Sequence, residues 1–262
     1  MRTARFKEKY GPYALVAGGS YGLGAAFAEA IARRGLNLIL LARQEDRLNA
    51  TAARLRAAFG VDVVTVVVDV ADYESLKERL AELEHPIGLL VYDAAYAPIG
   101  RFEDTSEDQL ALAADVNVRA PLLLTKLLSA PMIERRRGGI VLMSSLAGSQ
   151  GSPNIAAYAA TKSFNAILAE GLWNELKPRG VDVLACMAGA ILTPGYQEAE
   201  NAKPAPGTLE AGQVAERTLN ALGKGPIFVP GAVNKVARFA LMRLLSRRAA
   251  IAIMSKNTGG LS

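Results

Sequence analysis

The sequence is poor in the residues that most often build metal and nucleophile sites. A single cysteine, Cys186, excludes an internal disulfide and any cysteine-based zinc cage. A single histidine, His85, leaves no histidine-rich metal centre. Its place directly before Pro86 reads as a surface turn and not as a catalytic base, which argues against a Ser-His-Asp hydrolase. No apolar run reaches the roughly 18 residues that a membrane span needs. The opening, with Arg2, Arg5, Lys7 and Lys9, lacks the apolar stretch of a secretion signal. Arg135-Arg136-Arg137, followed by Gly138-Gly139, reads as a solvated turn. Without interleaved aromatics or a reading element, nucleic-acid binding is not expected. These absences predict a soluble, cytoplasmic protein with no metal site.

What is present is an alternation of short apolar runs and long amphipathic ones. Strands are predicted at Tyr13–Ala17, Asn37–Ala42, Val61–Val68, Gly88–Tyr92, Ile140–Met143, Val181–Met187 and Ile227–Val229. Helices are predicted at Leu23–Arg34, Gln44–Phe59, Ala71–Leu83, Ser106–Leu128, Ala156–Leu176 and Glu210–Leu222. The strands are almost continuously apolar, which suits a parallel sheet buried on both faces. Strand and helix in strict alternation give an α/β fold, a Rossmann-like doubly wound parallel sheet of about seven strands with helices on both faces. The 262 residues fit one nucleotide-binding domain. A Pro/Gly-rich excursion near 188–207 reads as a lid insertion, and a basic extension follows from about 231.

Ala17-Gly18-Gly19-Ser20-Tyr21-Gly22-Leu23-Gly24 joins the first strand to the first helix. Glycines at 18, 22 and 24 allow a tight turn and close approach to a pyrophosphate, and the helix N-terminus offers free N–H groups to it. The same turn also occurs as a plain connection. The second strand ends in Ala42-Arg43, where an acidic residue would serve the ribose of NAD. An arginine there can clamp a 2′-phosphate, so NADP(H) is preferred over NAD(H), although Arg43 also reads as the first solvated residue of the next helix. Asp69, followed by Val70, stands where an adenine amino group can be read, and equally where a helix needs an N-cap. Tyr158 and Lys162, four apart on a helix, share a face, and Ser145 ends the fifth strand. Asn117 sits inside a predicted helix, which it forms poorly.

In that ordered set (Gly18, Gly22, Gly24, Asp69, Asn117, Ser145, Tyr158, Lys162) the sequence resembles the short-chain dehydrogenase/reductase family in its single-domain form, from about Tyr13 to Val229. The run Gly35–Arg43 with Asp46-Arg47-Leu48 looks most like the hydroxysteroid dehydrogenase and long-chain 3-oxoacyl reductase branch. The resemblance implies an NADP(H)-dependent oxidoreductase that interconverts a hydrophobic ketone or aldehyde and its alcohol. Tyr158 is implied as general acid/base. Lys162 is implied to supply a cation and to bond the nicotinamide ribose. Ser145 is implied to donate to the substrate oxygen, and Asn117 to hold a water that links Lys162 to solvent. The implied cofactor contacts are Gly18, Ser20, Tyr21, Gly22, Leu23, Gly24, Arg43, Asp69, Val70, Asp93, Ala94, Tyr158, Lys162, Gly189, Ile191 and Thr193. Leu146, Ala147, Pro153, Ile191 and Tyr196 are the expected substrate neighbours. The family also implies a homodimer or homotetramer assembled through the helices of Asn117 and Tyr158.

The chain departs from the family pattern at Ala17, at Tyr92-Asp93-Ala94-Ala95 in place of Asn-Asn-Ala-Gly, and at Ala188 in place of proline. Enoyl reduction predicts another Tyr–Lys spacing, and an epimerase would carry a longer C-terminal substrate domain. A non-catalytic NADP-binding regulator would lose the tyrosine or lysine, and a 3-oxoacyl-thioester reductase would keep both. Every charged side chain after Glu216 is basic, so the net charge of +5 resides wholly in the tail. On a helical wheel Lys235, Arg238, Arg243, Arg247 and Arg248 spread widely, which favours a lid flank or a subunit contact over a membrane surface.

Overall fold

The computed structural model describes residues 3–193 and 206–258. Seven strands form one all-parallel sheet: β1 (Tyr13–Ala17), β2 (Asn37–Ala42), β3 (Val63–Val67), β4 (Ile87–Tyr92), β5 (Gly138–Ser145), β6 (Val181–Ala188) and, beyond a short parallel pair formed by β7 (Ile191–Leu192) with β8 (Leu209–Glu210), β9 (Ile227–Phe228). Their spatial order is β3-β2-β1-β4-β5-β6-β9, so the chain reverses direction of travel between β1 and β4. That reversal opens a crevice at the carboxyl ends of the two strands, where this class of sheet binds ligands.

Period-two alternation explains the two-sided core. Ala14, Val16, Leu38 and Leu40 face one layer, with Phe27 and Ile31 of α2 (Gly22–Ala32), Leu48 and Leu55 of α3 (Glu45–Phe59) and Val214 and Leu219 of the helix Ala211–Ala221. Leu15, Ala17, Ile39 and Leu41 face the other, with Leu76 and Leu80 of α4 (Tyr73–Ala81) and side chains of the helices Ala120–Glu134 and Ala156–Leu176. Both faces are thus buried, which is why the strands read as unbroken apolar runs.

Beyond shifts of a few residues at strand and helix ends, three elements differ from the sequence expectation. The N-terminus forms an unpredicted helix, α1 (Thr3–Tyr10), which buries Phe6 and Tyr10. The helix expected from Ala71 begins at Tyr73, because Asp72 is its N-cap and accepts from the Ser75 N–H at 3.1 Å. Asp69 instead accepts from the Ala71 N–H at 3.0 Å, so the capping alternative for Asp69 is overturned. The single helix expected over Ser106–Leu128 is α5 (Glu107–Ala114), a π-helical turn (Asp115–Arg119) and α6 (Ala120–Glu134). α7 (Ala156–Leu176) and α8 (Ala211–Ala221) follow expectation closely, and the tail forms α9 (Ala232–Phe239), a π turn (Ala240–Leu244) and α10 (Arg247–Thr258). Most of the expected lid, including Tyr196, lies outside the described residues. Among the described residues no helix is long and apolar enough to cross a membrane, and no cluster of His, Cys, Asp or Glu could hold a metal ion. His85 is half-buried, its ring stacked 4.3 Å from that of Tyr13.

Candidate active site

The turn after β1 is built around backbone crowding. A Cβ on Gly24 would lie 2.0 Å from the Gly18 carbonyl oxygen, and Gly18 itself takes φ +87°, so neither position accepts a side chain. Gly22 takes φ +54° at the start of α2. Gly18 and Gly19 N–H both donate to the Leu41 carbonyl (2.9 and 3.2 Å), and Thr51 Oγ1 of α3 donates to Ser20 O at 3.1 Å. The turn is therefore fixed to β2 and α3 before any ligand arrives. The floor is tied too: Asp93 and Ala94 N–H donate to Ala17 O at 3.0 and 2.9 Å.

From this turn a cleft runs in two directions. One arm, of about 360 Å³, is lined by Gly18, Ser20, Tyr21, Arg43, Asp69, Val70 and Ala94. Arg43 stands 3.6 Å from Asp69, with both side chains largely solvated, a pairing worth under about 1 kcal/mol that yields easily to a better anion. Arg47 lies over the Tyr21 ring at 4.7 Å and brings a second cation to this end, which sequence reading did not single out. The other arm, of about 400 Å³, is lined by Gly22, Leu23, Ser145, Tyr158, Lys162, Gly189, Ile191 and Thr193. Tyr21, Asp93 and Ala95 line both arms, making one continuous groove of the size that cofactors occupy.

Ser145 ends β5 and Tyr158 and Lys162 project from the first turns of α7, so all three converge on the second arm. Lys162 is buried; its Nζ donates to Met143 O at 3.0 Å and lies 5.5 Å from the centre of the Tyr158 ring. Burial drives the ammonium down to about 8, with Asp93 opposing. Burial pushes the Tyr158 phenol above its ordinary range; a hydrogen bond with the Ser145 side chain draws it down, and Asp93 pushes it up. Asp93 accepts from the Gly24 N–H, and burial raises its carboxyl to about 7 against the pull of Lys162 and that N–H. The helix backbone is locked beside the site: Ser144 Oγ donates to Lys162 O at 2.7 Å.

Asn117 sits in the π turn, fully buried. Its carboxamide accepts from Tyr96 N–H (2.9 Å) and donates to Tyr96 O (2.6 Å) and Thr161 Oγ1 (3.1 Å), while the Asn117 main-chain carbonyl accepts from Asn165 Nδ2 at 3.1 Å. The side chain thus joins the β4–α5 connection to α7. Tyr96, Thr161 and Asn165 were not legible as partners, since nothing local marks them. Tyr92, where the family has asparagine, is buried and donates to Val116 O at 2.5 Å, bracing the same π turn. Gly189 passes so close to Asn234 that a Cβ would lie 2.8 Å from its Oδ1.

The expected substrate neighbours divide. Ala147 packs with Ile155 and Ala159 behind Tyr158, and Leu146 packs on the sheet core. Pro153 lines an adjoining depression with Pro98, Gly100 and Phe102, outside the groove. Ile191 lines the groove itself. The side chains of Thr193 and Asp93 stand beside Gly22 and Gly24, and the residues that line the groove suit a dinucleotide: backbone N–H groups, a helix N-terminus and two cations at one end.

Residues 12–204 match the short chain dehydrogenase family. Hydroxysteroid dehydrogenase-like protein 1 of Gallus gallus is 30% identical over 192 residues, covering 71% of this chain and 57% of that protein. The very-long-chain 3-oxoacyl-CoA reductase of Phaeosphaeria nodorum is 31% identical over 221 residues, covering 82% and 64%. The chain therefore spans less than two thirds of the length of these curated relatives. A structure described for 7beta-hydroxysteroid dehydrogenase stereoselectivity aligns with TM-score 0.90 at 26% identity, covering 95% of this chain and 99% of that one. A short-chain dehydrogenase from Sphingobium yanoikuyae in complex with NADPH aligns with TM-score 0.78 at 30% identity, covering 93% and 95%.

Proposed function

This chain belongs to the short-chain dehydrogenase family, and from that premise we propose that it is an oxidoreductase acting on CH–OH groups, which interconverts a hydrophobic ketone or aldehyde and its alcohol with NADP(H). One observation carries the reading: Ser145, Tyr158 and Lys162 line a single groove with the glycine turn at its other side. When bound, the nicotinamide supplies or accepts the hydride; the protein's own residues handle position and proton.

In carbonyl reduction the Ser145 hydroxyl holds the substrate oxygen and stabilises its growing negative charge. The Tyr158 phenol gives that oxygen a proton, and in alcohol oxidation takes one back. Burial keeps the phenol protonated at rest but opposes the transfer, so the Ser145 hydrogen bond and the neighbouring cations must lower the cost of the phenolate. Lys162 stabilises the phenolate left behind through its charge, since the two groups lie on one helical face. Asn117 positions: it fixes α7 against the β4–α5 connection, and the proposed water link to Lys162 runs past it. Gly18, Ser20, Tyr21, Gly22, Leu23 and Gly24 would hold the pyrophosphate side, with Asp69, Val70, Asp93 and Ala94 around the adenosine and Gly189, Ile191 and Thr193 beside the nicotinamide.

Arg43 and Arg47 at the adenosine end support NADP(H) over NAD(H). Replacing Ala42→Asp together with Arg43→Ala should reverse the ratio of kcat/KM for the two cofactors. An unchanged ratio removes the assignment. Turnover is tested by loss of NADPH absorbance with a panel of hydrophobic ketones, repeated with Tyr158→Phe. The variant should bind NADPH as the wild type does and lose about two to four orders of magnitude in kcat. Binding without turnover by the wild type across the panel would assign the protein to non-catalytic nucleotide binding.

The names of the curated relatives favour one further substrate class, a 3-oxoacyl thioester, which the same panel should include. We place self-assembly on α6 and α7, whose Leu122 and Ile167 are exposed.

A further inference from the structure

The tail presents its apolar side outward. α9 is seated on the body by Asn234, which is buried and donates to Gly207 O and Pro230 O at 3.0 Å each. Val233, Val236 and Phe239, three residues apart, therefore share the opposite face and are 55%, 68% and 59% exposed. Leu244 and Leu245, at the end of the π turn, continue the exposed surface. This inverts the usual arrangement, in which a surface helix turns its apolar stripe inward. Lys235 flanks this face, exposed with its ammonium 5.7 Å from the centre of the Phe228 ring, Arg243 and Arg248 are exposed further along the tail, and no acidic side chain follows Glu216. The wheel of bases alone did not show this, because which side of the helix faces the body depends on Asn234.

The segment is tied to the loops around the arm lined by Ser145 and Tyr158, which is the substrate arm on the reading above. Arg247 donates to Ser149 O at 3.1 Å, and Asn154 Nδ2 donates to the Thr258 carbonyl at 3.1 Å, so α10 is tied at both ends to the loop that follows Ser145. Asn234 also abuts Gly189, in the turn after β6.

We propose that this face docks on an anionic lipid surface, with Val236 and Phe239 in the acyl boundary and Lys235 and Arg243 reaching the headgroups. A second copy seated symmetrically on the same face would appose two sets of like charges, whereas a lipid surface takes up both the apolar stripe and the bases. The docked face would hold the substrate arm near the bilayer, where a hydrophobic ketone concentrates; that last clause rests on the reductase reading above.

The test is co-sedimentation of the full chain with vesicles of equal phosphatidylcholine and phosphatidylglycerol, and with phosphatidylcholine alone. The wild type should bind the anionic vesicles and bind the neutral ones at least tenfold less. Val236→Ser with Phe239→Ser, and separately Lys235→Gln with Arg243→Gln, should each lower anionic binding about tenfold or more, without changing molecular size in solution. Leu244→Ser gives a second apolar probe should the first pair fail to fold. No binding by the wild type overturns the proposal, as does binding indifferent to the apolar substitutions. A change in oligomeric size on substitution assigns the face to a second copy and overturns it equally. NADPH turnover of a soluble ketone, measured without vesicles, should be unchanged in these variants. Absence of turnover in the wild type would sink the reductase reading alone and leave the vesicle result standing.

Discussion

Asp93 places an ionisable group between the glycine turn and Lys162, and its two neighbours pull against its burial. Burial raises the carboxyl to about 7 in the folded chain, whereas an exposed aspartate titrates near 4. The native state therefore binds more protons than the unfolded one between those values. The stability this contributes is complete below about pH 4 and is lost as pH rises through about 7. Asp93→Asn should flatten the fall in melting temperature over that window, read by thermal unfolding of the cofactor-free protein at a series of pH values. The same change removes the charge that supports the Lys162 ammonium, already lowered to about 8, and the charge that raises the Tyr158 phenol. Both effects release protons at lower pH. The alkaline limb of kcat for ketone reduction should thus move toward neutrality in the variant. A limb and a slope that both stay in place would show that Asp93 is electrically silent.

The π turn at Asp115–Arg119 shows what an element can demand of one residue. An extra residue in the turn swings Asn117 away from a regular helical path and onto the Tyr96 main chain and Thr161. Asn117→Ala leaves the Tyr96 N–H and C=O without their partner, and each such loss costs about 1–3 kcal/mol. Urea unfolding should show a loss of about 2–6 kcal/mol, and kcat should fall more than KM for NADPH rises, because α7 loses its tether near Lys162. The elements that sequence revealed well are those whose cause is local. The strands announce themselves by continuous β-branched and aliphatic runs. The glycine turn does so by Gly18 and Gly24, where a Cβ would meet backbone, and by Gly22 with its positive φ, and α7 by its own periodicity. Asn117 was visible as an anomaly in a helix, but the π turn that accommodates it was not, since its partners come from two other places in the chain, Tyr96 from the β4–α5 connection and Thr161 and Asn165 from α7. α1 escaped for the same reason. It is short and largely polar, and only packing against β4 and β5 makes Phe6 and Tyr10 core residues.

At the scale of the molecule the two ends of the sheet do different work. The carboxyl ends carry the glycine turn, Asp93, Ser145 and the turn at Gly189; α1 closes the amino ends. Tyr10 lies under β4 and β5 so tightly that a Cβ on Gly88 would sit 2.4 Å from its carbonyl and one on Gly139 would sit 2.9 Å from its ring. Its hydroxyl donates to Asp182 at 2.6 Å, at the start of β6, where Lys9 also pairs with that carboxylate. Burial and the Asp182 carboxylate hold the Tyr10 phenol protonated, so this contact does not change across the physiological range. Nothing in it touches the groove, which makes the division of labour measurable. Tyr10→Ala removes a fully buried ring and should cost roughly 3–5 kcal/mol in urea unfolding. Well below its melting temperature the variant should keep the wild-type kcat/KM. Saturating NADPH, at about a hundred times its Kd, should raise the stability of both proteins by the same amount, near 2.7 kcal/mol. If kcat/KM or the NADPH increment fell with stability, the amino end of the sheet would be coupled to the site, and the separation drawn between them would fail.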